Sequence, residues 1–157
     1  MREVERFLNA QDANDEFEAA LSEIRSGRKQ SHWIWYVFPQ LSGLGASRMS
    51  RIYGIRNRDE AVDYLRHRTL YPRLQAITSA VFEHVSKGAR LDQVMGSAID
   101  AQKLVSSMTL FGAVAKSLDA KGESGFGTFA AQAEGILAAG EAQGYPRCRF
   151  THEQLGD

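Results

Sequence analysis

The stretch SHWIWYVFPQ, from Ser31 to Gln40, constrains the fold more than any other part of the chain because it is hydrophobic on every face. As a strand it would present apolar side chains on both faces, which requires a sheet covered on both sides. The sequence offers no second convincing strand, and an unpaired buried strand would leave its backbone groups without hydrogen bonds. We therefore predict a short buried aromatic helix, with Ser31 as its N-cap and Pro39 as its stop.

Elsewhere, apolar residues recur three and four positions apart, which is the spacing of one helix face. This periodicity predicts helices that include residues 17–24, 61–65, 74–85, 97–111 and 128–139. Start signals for helices stand at Asp12 or Asp15, Asn57, Ser97 and Thr151. We therefore predict an all-α fold, a single multi-helical domain over residues 1–157, since a chain of this length can bury one sizeable core.

Charge content narrows the classes of function. The 19 lysines and arginines are balanced by 19 aspartates and glutamates. The chain therefore lacks the basic excess of a duplex-binding protein, and nucleic acid is not an expected partner. Arg25, Arg28 and Lys29 precede Trp33, and such mixtures occur in single-strand binders. We interpret these three cations instead as charges at the end of a helix.

Three further features limit location and chemistry. Cys148 is the single cysteine, so it cannot form an internal disulfide, which favours a cytoplasmic location. No apolar run is long enough to span a membrane, and the start of the chain carries charges where a signal peptide is apolar. The four histidines lie far apart in the sequence, so we expect neither a metal nor another cofactor.

The aromatic segment is the first candidate for chemistry. Large rings such as Trp33 and Trp35 can stack on a nucleobase or a similar ring. The alternative is that Trp33, Trp35 and Phe38 fill the core, which is the usual place of such residues. His32 and Gln40 flank the apolar stretch as the polar rim of a pocket would. His32 is a candidate general acid or base near neutral pH, or equally a histidine with a structural hydrogen bond.

The turn LSGLGAS, which precedes the predicted helix RMSRIYGI, is the second candidate. Gly43 and Gly45 would allow backbone N–H groups to point at an anion near the start of this helix. Arg48 and Arg51 could add contacts to a phosphate. No strand precedes the turn, so it is not a dinucleotide-binding fingerprint. The alternative is an ordinary turn that Ser47 caps.

The third candidate is DAQKLVSSMTLF, within a predicted helix. At helical spacing, Asp100, Lys103 and Ser107 share one face, beside the apolar stripe. Partial burial at such a border shifts the pKa values of charged groups, and shifted pKa values are common at functional sites. The alternative is a capping pattern that begins at Ser97, with Asp100 and Lys103 as a surface ion pair.

Three segments together resemble a known family. SHWIWYVFPQLSGLGAS, DEAVDYLRHRTLYPRL and DAQKLVSSMTLF are similar, in this order, to motifs of the bacterial domain-of-unknown-function family numbered 1810. The resemblance covers residues 3–115 and implies a compact all-α domain, but no established activity. The chain departs from the family pattern at Tyr71-Pro72, where a glycine is expected, and over residues 120–157.

A more distant similarity in style links the aromatic segment and the later helices to the YbiA-like or NADAR group. Members of that group are helical and cleave N-glycosidic bonds of ADP-ribose derivatives. This resemblance implies a substrate class for the chain if it is an enzyme, namely as a hydrolase of a nucleotide or an ADP-ribose derivative. No catalytic residue is carried over from that group.

These observations lead to one main hypothesis, a small-molecule pocket for a phosphate-bearing, nucleotide-like ligand between the aromatic segment and the helix of Asp100. His32 or Asp100 would transfer protons if there is catalysis. The other main reading is a non-catalytic helical interaction module with an exposed apolar patch. The expected ligand-binding residues are Ser31, Trp33, Trp35, Phe38, Gln40, Gly43, Gly45, Ser47, Ser50, Lys103 and Ser107.

Overall fold

Residues 2–156 are described by the computed structural model. Within this range the secondary structure is helical, apart from an isolated parallel bridge between Leu41 and Ile55. The all-α prediction is confirmed. The α-helices are α1 (Glu5–Asp12), α2 (Glu16–Arg25), α3 (Ile34–Val37), α4 (Arg48–Tyr53), α5 (Arg58–Arg66), α6 (Leu70–Ser86), α7 (Leu91–Met95), α8 (Ala98–Ala120), α9 (Gly127–Ala142) and α10 (Arg149–Leu155).

The longest helix, α8, lies at the centre of the domain and contacts α3, α5, α7, α9 and α10. Its connection to α9 is short, so the two helices pack as neighbours along their length. Gly112 makes this close approach possible, because a Cβ atom there would lie 3.1 Å from the Cβ of Ala133. The packing of α8 on so many partners explains why its buried residues extend beyond a single stripe.

The aromatic helix α3 is short and buried, as predicted, but it begins later than the sequence indicated. Trp33 occupies the N-cap position, where its side chain makes no capping hydrogen bond, and the helix ends before Phe38. Ser31 is therefore not the N-cap. Its hydroxyl instead donates to the carboxylate of Glu23 on α2, at 2.6 Å, and thereby helps to hold the segment that precedes α3.

Helices begin where the sequence predicts when the capping side chain bonds to a backbone amide three residues ahead. Asn57 and Ser97 accept hydrogen bonds from the backbone N–H groups three residues ahead, at 2.9 and 3.1 Å. Two other predicted caps are wrong. Asp15 has a left-handed backbone and makes no capping bond, and Thr151 lies inside α10, where its hydroxyl donates to Cys148 Sγ.

An ion pair fastens α1 to the segment around α5. The guanidinium of Arg6 donates to both carboxylate oxygens of Glu60, at 2.8 and 2.9 Å, and to the carbonyl oxygens of Ile52 and Gly54, each at 2.8 Å. Burial alone would raise the pKa of Glu60, but the hydrogen bonds from Arg6 and from the Arg56 amide lower it. The N-terminal helix is thereby attached to the core through one bidentate contact.

None of the helices within residues 2–156 combines the length and the apolar character that crossing a bilayer requires.

Candidate functional site

A single carboxylate organises the chain that leads into α3. Glu23 Oε1 accepts hydrogen bonds from the amides of Gln30 and Ser31 and from the indole Nε1 of Trp33, at 2.8 to 2.9 Å. Its Oε2 accepts from the hydroxyl of Ser31. Burial would raise the pKa of Glu23, but these four hydrogen bonds outweigh that effect and lower the pKa to about 2. Ser31, a predicted ligand-binding residue, is thus occupied in holding this segment.

The two tryptophans lie in different surroundings. Trp33 and Phe38 are each 1% exposed, with their ring centroids 6.3 Å apart. In this conformation both rings belong to the core, beyond the reach of a ligand. Trp35 is only half-buried, so any stacking on a ligand falls to Trp35 alone.

A buried lysine joins the aromatic segment to α8. Lys29 is 6% exposed, and its Nζ lies 2.8 Å from Asp100 Oδ2. The same ammonium donates to the carbonyl oxygen of Ser31 at 2.5 Å and lies 4.9 Å from the centroid of the Trp33 ring. The interpretation of Lys29 as a solvated helix-terminal charge is therefore wrong. The expected ion pair between Asp100 and Lys103 is also absent among the described residues, because Asp100 pairs with Lys29 instead.

The backbone explains why Lys29 reaches this position. Its amide donates to the carbonyl oxygen of Val94 at 2.8 Å. Gly96 has φ +85°, and a Cβ atom there would lie 2.6 Å from the carbonyl oxygen of Lys29. The segment after α2 thus runs directly against the start of α8, which requires a glycine at this point.

Lys103 and Trp35 form the second contact between the two segments. The Nζ of Lys103 lies 5.2 Å from the centroid of the Trp35 ring, within the range of a cation–π interaction. Trp35 Nε1 is buried and has no hydrogen-bond partner among the described residues, and the same is true of the hydroxyl of Ser107, one helical turn beyond Lys103. We call the group formed by Trp35, Asp100, Lys103 and Ser107 the Trp35–Lys103 junction.

His32 and Gln40 lie at the two ends of the aromatic segment. The side chain of His32 is exposed, and its carbonyl oxygen accepts from the hydroxyl of Tyr36 at 3.3 Å. Gln40 is half-buried, and its carbonyl oxygen accepts from the Ile55 amide at 2.9 Å, next to the single bridge of the fold. The structure thus fixes the backbone at both positions and leaves the ring of His32 in solvent.

The glycine turn before α4 is organised by its own side chains. Ser47 Oγ accepts from the amide of Ser50 at 3.1 Å and bonds to the Ser50 hydroxyl at 3.0 Å. Arg51 donates to the carbonyl oxygen of Ala46. Gly43 has φ +101° and contacts the ring of Phe150. The amide of Ser50, which an anion would use, is thus already bonded, and the arrangement is that of a capped turn.

Gly45 is also closely packed within the turn. A Cβ atom at Gly45 would lie 2.3 Å from Ser50 Oγ and 3.9 Å from the side-chain nitrogen Nε2 of Gln40. These glycines therefore allow close packing of the turn, which is a sufficient reason for their presence.

Two cavities are prominent in the described part of the chain, and the predicted site residues line neither. The larger, of about 720 Å³, lies between α8, α9 and the C-terminal segment. The smaller, of about 380 Å³, lies between α2 and α6 beside Arg25, Glu83 and His84. Among residues 2–156 there is also no group of three His, Cys, Asp or Glu side chains with the geometry of a metal site.

Sequence reasoning missed Glu23 and Lys29, the two residues that hold the aromatic segment in place. Glu23 lies within α2, whereas Ser31 lies in the irregular segment that follows this helix, so helical periodicity in the sequence does not connect the two positions. Lys29 does carry a signal. It stands four residues before Trp33 in a segment that must enter the core, so its charge is carried inward and needs a buried partner.

Known families and solved structures include proteins that are similar to this chain. The sequence model of the family described as "Protein of unknown function (DUF1810)" matches residues 1–145. Among solved structures, the conserved hypothetical protein Rv1873 from Mycobacterium tuberculosis is 33% identical, with a TM-score of 0.76, and the alignment covers 98% of this chain and 96% of that chain. No curated protein matches the chain. The family match extends beyond residue 115, where the motif resemblance ends.

Proposed function

The chain belongs to the DUF1810 family of proteins of unknown function, and from that premise we propose that it binds a small, phosphate-bearing, nucleotide-like ligand at the Trp35–Lys103 junction. One observation carries this proposal. The ammonium of Lys103 lies 5.2 Å from the ring of the half-buried Trp35. A cation beside a partly open aromatic face offers the two groups that such a ligand needs, one for its phosphate and one for its base.

Ligand binding would replace the contact between Lys103 and the ring of Trp35 with contacts to the ligand. In the free protein the ammonium of Lys103 lies against the ring of Trp35. When the ligand binds, a base stacks on that ring and Lys103 turns to the phosphate, so that one weak contact is replaced by stacking and a charge-assisted hydrogen bond. Trp35 Nε1 supports the proposal further, because a buried polar group without a partner costs about 1–3 kcal/mol, which a ligand oxygen would recover.

We propose binding, not hydrolysis, as the primary activity of the junction. Asp100 is engaged with Lys29 at 2.8 Å, which opposes its use as a free base. His32 has an exposed ring and no second side chain that would orient it. The ADP-ribose version of the ligand rests on the distant resemblance to the NADAR group alone. The single cysteine supports a cytoplasmic location as part of the same proposal.

Titration of the purified protein with ADP-ribose, NAD and AMP, followed by tryptophan fluorescence and by calorimetry, tests this function. We expect at least one of them to quench the emission, and Trp35→Phe, which retains Trp33, to abolish the quenching. Lys103→Met keeps the alkyl chain over the ring and removes the charge, so it should weaken binding about tenfold or more.

Lys116→Met is the matched control, since Lys116 is a more distant lysine of the same helix, and its affinity should equal that of the wild type. If none of the three ligands binds at about 1 mM, or if both lysine variants lose the same affinity, the junction is not the binding site.

The interaction-module alternative receives no comparable support. Among the large hydrophobic side chains of the described residues, Ile52 and Ile99 are the exposed ones, at 40% and 66%. Each lies on a different helix, and single exposed hydrophobic residues are normal on a soluble surface.

A further inference from the structure

The larger cavity, here called the α8–α9 groove, lies away from the Trp35–Lys103 junction. Lys103 and Lys116 are separated by about 20 Å along α8, at 1.5 Å per residue. The groove has a volume of about 720 Å³, within the range of roughly 300–1,000 Å³ that is typical of small-molecule sites. Its lining is Thr109, Gly112, Ala113, Lys116, Ser117, Ala120, Ala130, Ala131, Glu134, Leu137, Arg147 and His152.

The groove is long enough for an extended chain. From Thr109 to Ala120 its lining follows α8 for about 16 Å at 1.5 Å per residue.

The floor of the groove is apolar. Gly112 and Ala113 on α8 face Ala130 and Leu137 on α9 across it. Because most of these side chains are small, they leave the groove between the two helices and the C-terminal segment unfilled. Such a surface favours hydrocarbon over a polar ligand, and each methylene that it buries strengthens binding about fourfold.

The charged side chains of the groove differ in their availability. The guanidinium of Arg147 is already paired with two carboxylates, since Nη1 and Nη2 donate to Glu134 at 2.9 and 2.5 Å and Nε donates to Glu141 at 3.2 Å. Lys116 is exposed, and no carboxylate of the described residues lies within ion-pair distance of it. Lys116 only contributes, after Arg147, to lowering the pKa of Glu134. The groove therefore offers one free ammonium at its edge.

We propose that the α8–α9 groove binds a free single-chain carboxylate of medium length, with its hydrocarbon on the floor and its carboxylate at Lys116. The apolar channel matches the chain in length, and the unpaired ammonium matches the single charge of the head group. The bidentate pair of Arg147 and Glu134 forms a fixed wall of the groove and does not contact the head group.

Calorimetric titration of the full chain with decanoate, hexanoate and decanol, below their aggregation concentrations, tests the proposal. Decanoate should bind, and hexanoate should bind at least tenfold more weakly because four methylenes are lost. Lys116→Met should weaken decanoate about tenfold and leave decanol unchanged. Ala131→Leu places a larger side chain at an exposed position of the groove and should weaken both ligands. Lys87→Met, which changes an exposed lysine outside both proposed sites, is the control and should behave as the wild type.

Backbone amide shifts in a ¹⁵N-labelled sample locate the site independently of affinity. Decanoate should shift the amides of Gly112, Ala113 and Ala131. The proposal is overturned if decanoate produces neither heat nor shifts, if the shifts lie at Trp35 and Lys103, or if Lys116→Met binds decanoate as the wild type does. Circular dichroism melting of each variant shows whether it is folded, and Ala131→Leu and Lys116→Met both change exposed side chains.

Discussion

At the scale of single residues, Glu23 shows how one carboxylate determines the course of a loop. It accepts four hydrogen bonds from Gln30, Ser31 and Trp33. None of these contacts is periodic, so the sequence alone predicts neither the contacts nor the displacement of Ser31 from its expected capping role. Caps that act within three residues, such as Asn57 and Ser97, were by contrast predictable, because the donor and the acceptor are neighbours in the chain.

The depressed pKa of Glu23, about 2 against 4.5, gives a signed pH dependence. Its contribution to the free energy of unfolding is complete above pH 4.5 and is lost as the pH falls towards 2, because the unfolded chain takes up the proton first. Glu23→Gln should cost about 1–3 kcal/mol at pH 7. In urea unfolding, the difference between variant and wild type should shrink from pH 7 to pH 3.

Glu18→Gln serves as the control, since Glu18 is an exposed glutamate of the same helix. It should change the unfolding free energy by less than about 0.5 kcal/mol at either pH. If Glu23→Gln lost the same unfolding free energy at pH 7 and at pH 3, the lowered pKa of Glu23 would be contradicted.

At the scale of elements, the existence of α2, α5, α6, α8 and α9 followed from apolar periodicity, and the structure contains all five. The sequence reading overlooked α1 and α7. Both are short, and each buries only a few residues, so that too few periodic positions are available to stand out. The meeting of α3 with α8 depended on Lys29, whose burial no local pattern shows.

The ion pair between Lys29 and Asp100 connects these elements and predicts a strong coupling. Asp100→Asn leaves the buried ammonium of Lys29 without its counter-charge and should cost about 3–5 kcal/mol. Lys29→Met with Asp100→Asn should recover a large part of that loss, because the methionine fits the same apolar surroundings. Urea unfolding of the two single variants and the double variant measures the coupling.

The pair of Glu83 and Lys87 provides the comparison, since both side chains are more than 70% exposed and lie 3.7 Å apart. Glu83→Gln should cost no more than about 0.5 kcal/mol. Strictly additive effects of Lys29→Met and Asp100→Asn would show that the pair does not join α8 to the aromatic segment.

At the scale of the whole molecule, the predicted all-α fold was correct, whereas the predicted cleft was not found at the expected place. Residue types predicted which segments are helical, whereas the expectation that the aromatic segment faces the helix of Asp100 came from the family resemblance. The larger space instead opens between α8, α9 and the C-terminal segment, where small side chains such as Gly112 and Ala113 line it without filling it. The shape of a cavity depends on how helices pack, and periodicity carries no information on that.

The attachment of α1 to the domain rests on Arg6, and Arg6→Lys tests it. Lysine keeps the charge but loses the planar fork that reaches Glu60 and two carbonyl oxygens together, so we expect a loss of about 2–3 kcal/mol. Limited proteolysis should then cut first near α1, and the unfolding midpoint in urea should fall.

Arg66→Lys is the matched substitution, because Arg66 also contacts a carboxylate, Glu123, through two nitrogens but does so on the surface. It should cost less than about 1 kcal/mol. Equal losses of unfolding free energy in the two variants would mean that the partly buried position of Arg6 does not strengthen its contacts.

Because Lys29 is buried where the aromatic segment meets α8, its reactivity should report how often the two separate. Acylating reagents should modify Lys87 and Lys116 quickly and Lys29 slowly, since the reagent reaches the exposed side chains but not a buried one. The labelling rate of this one side chain, read by mass spectrometry, would measure how often the aromatic segment lifts from the long helix, and a molecule lodged beside Trp35 should slow it.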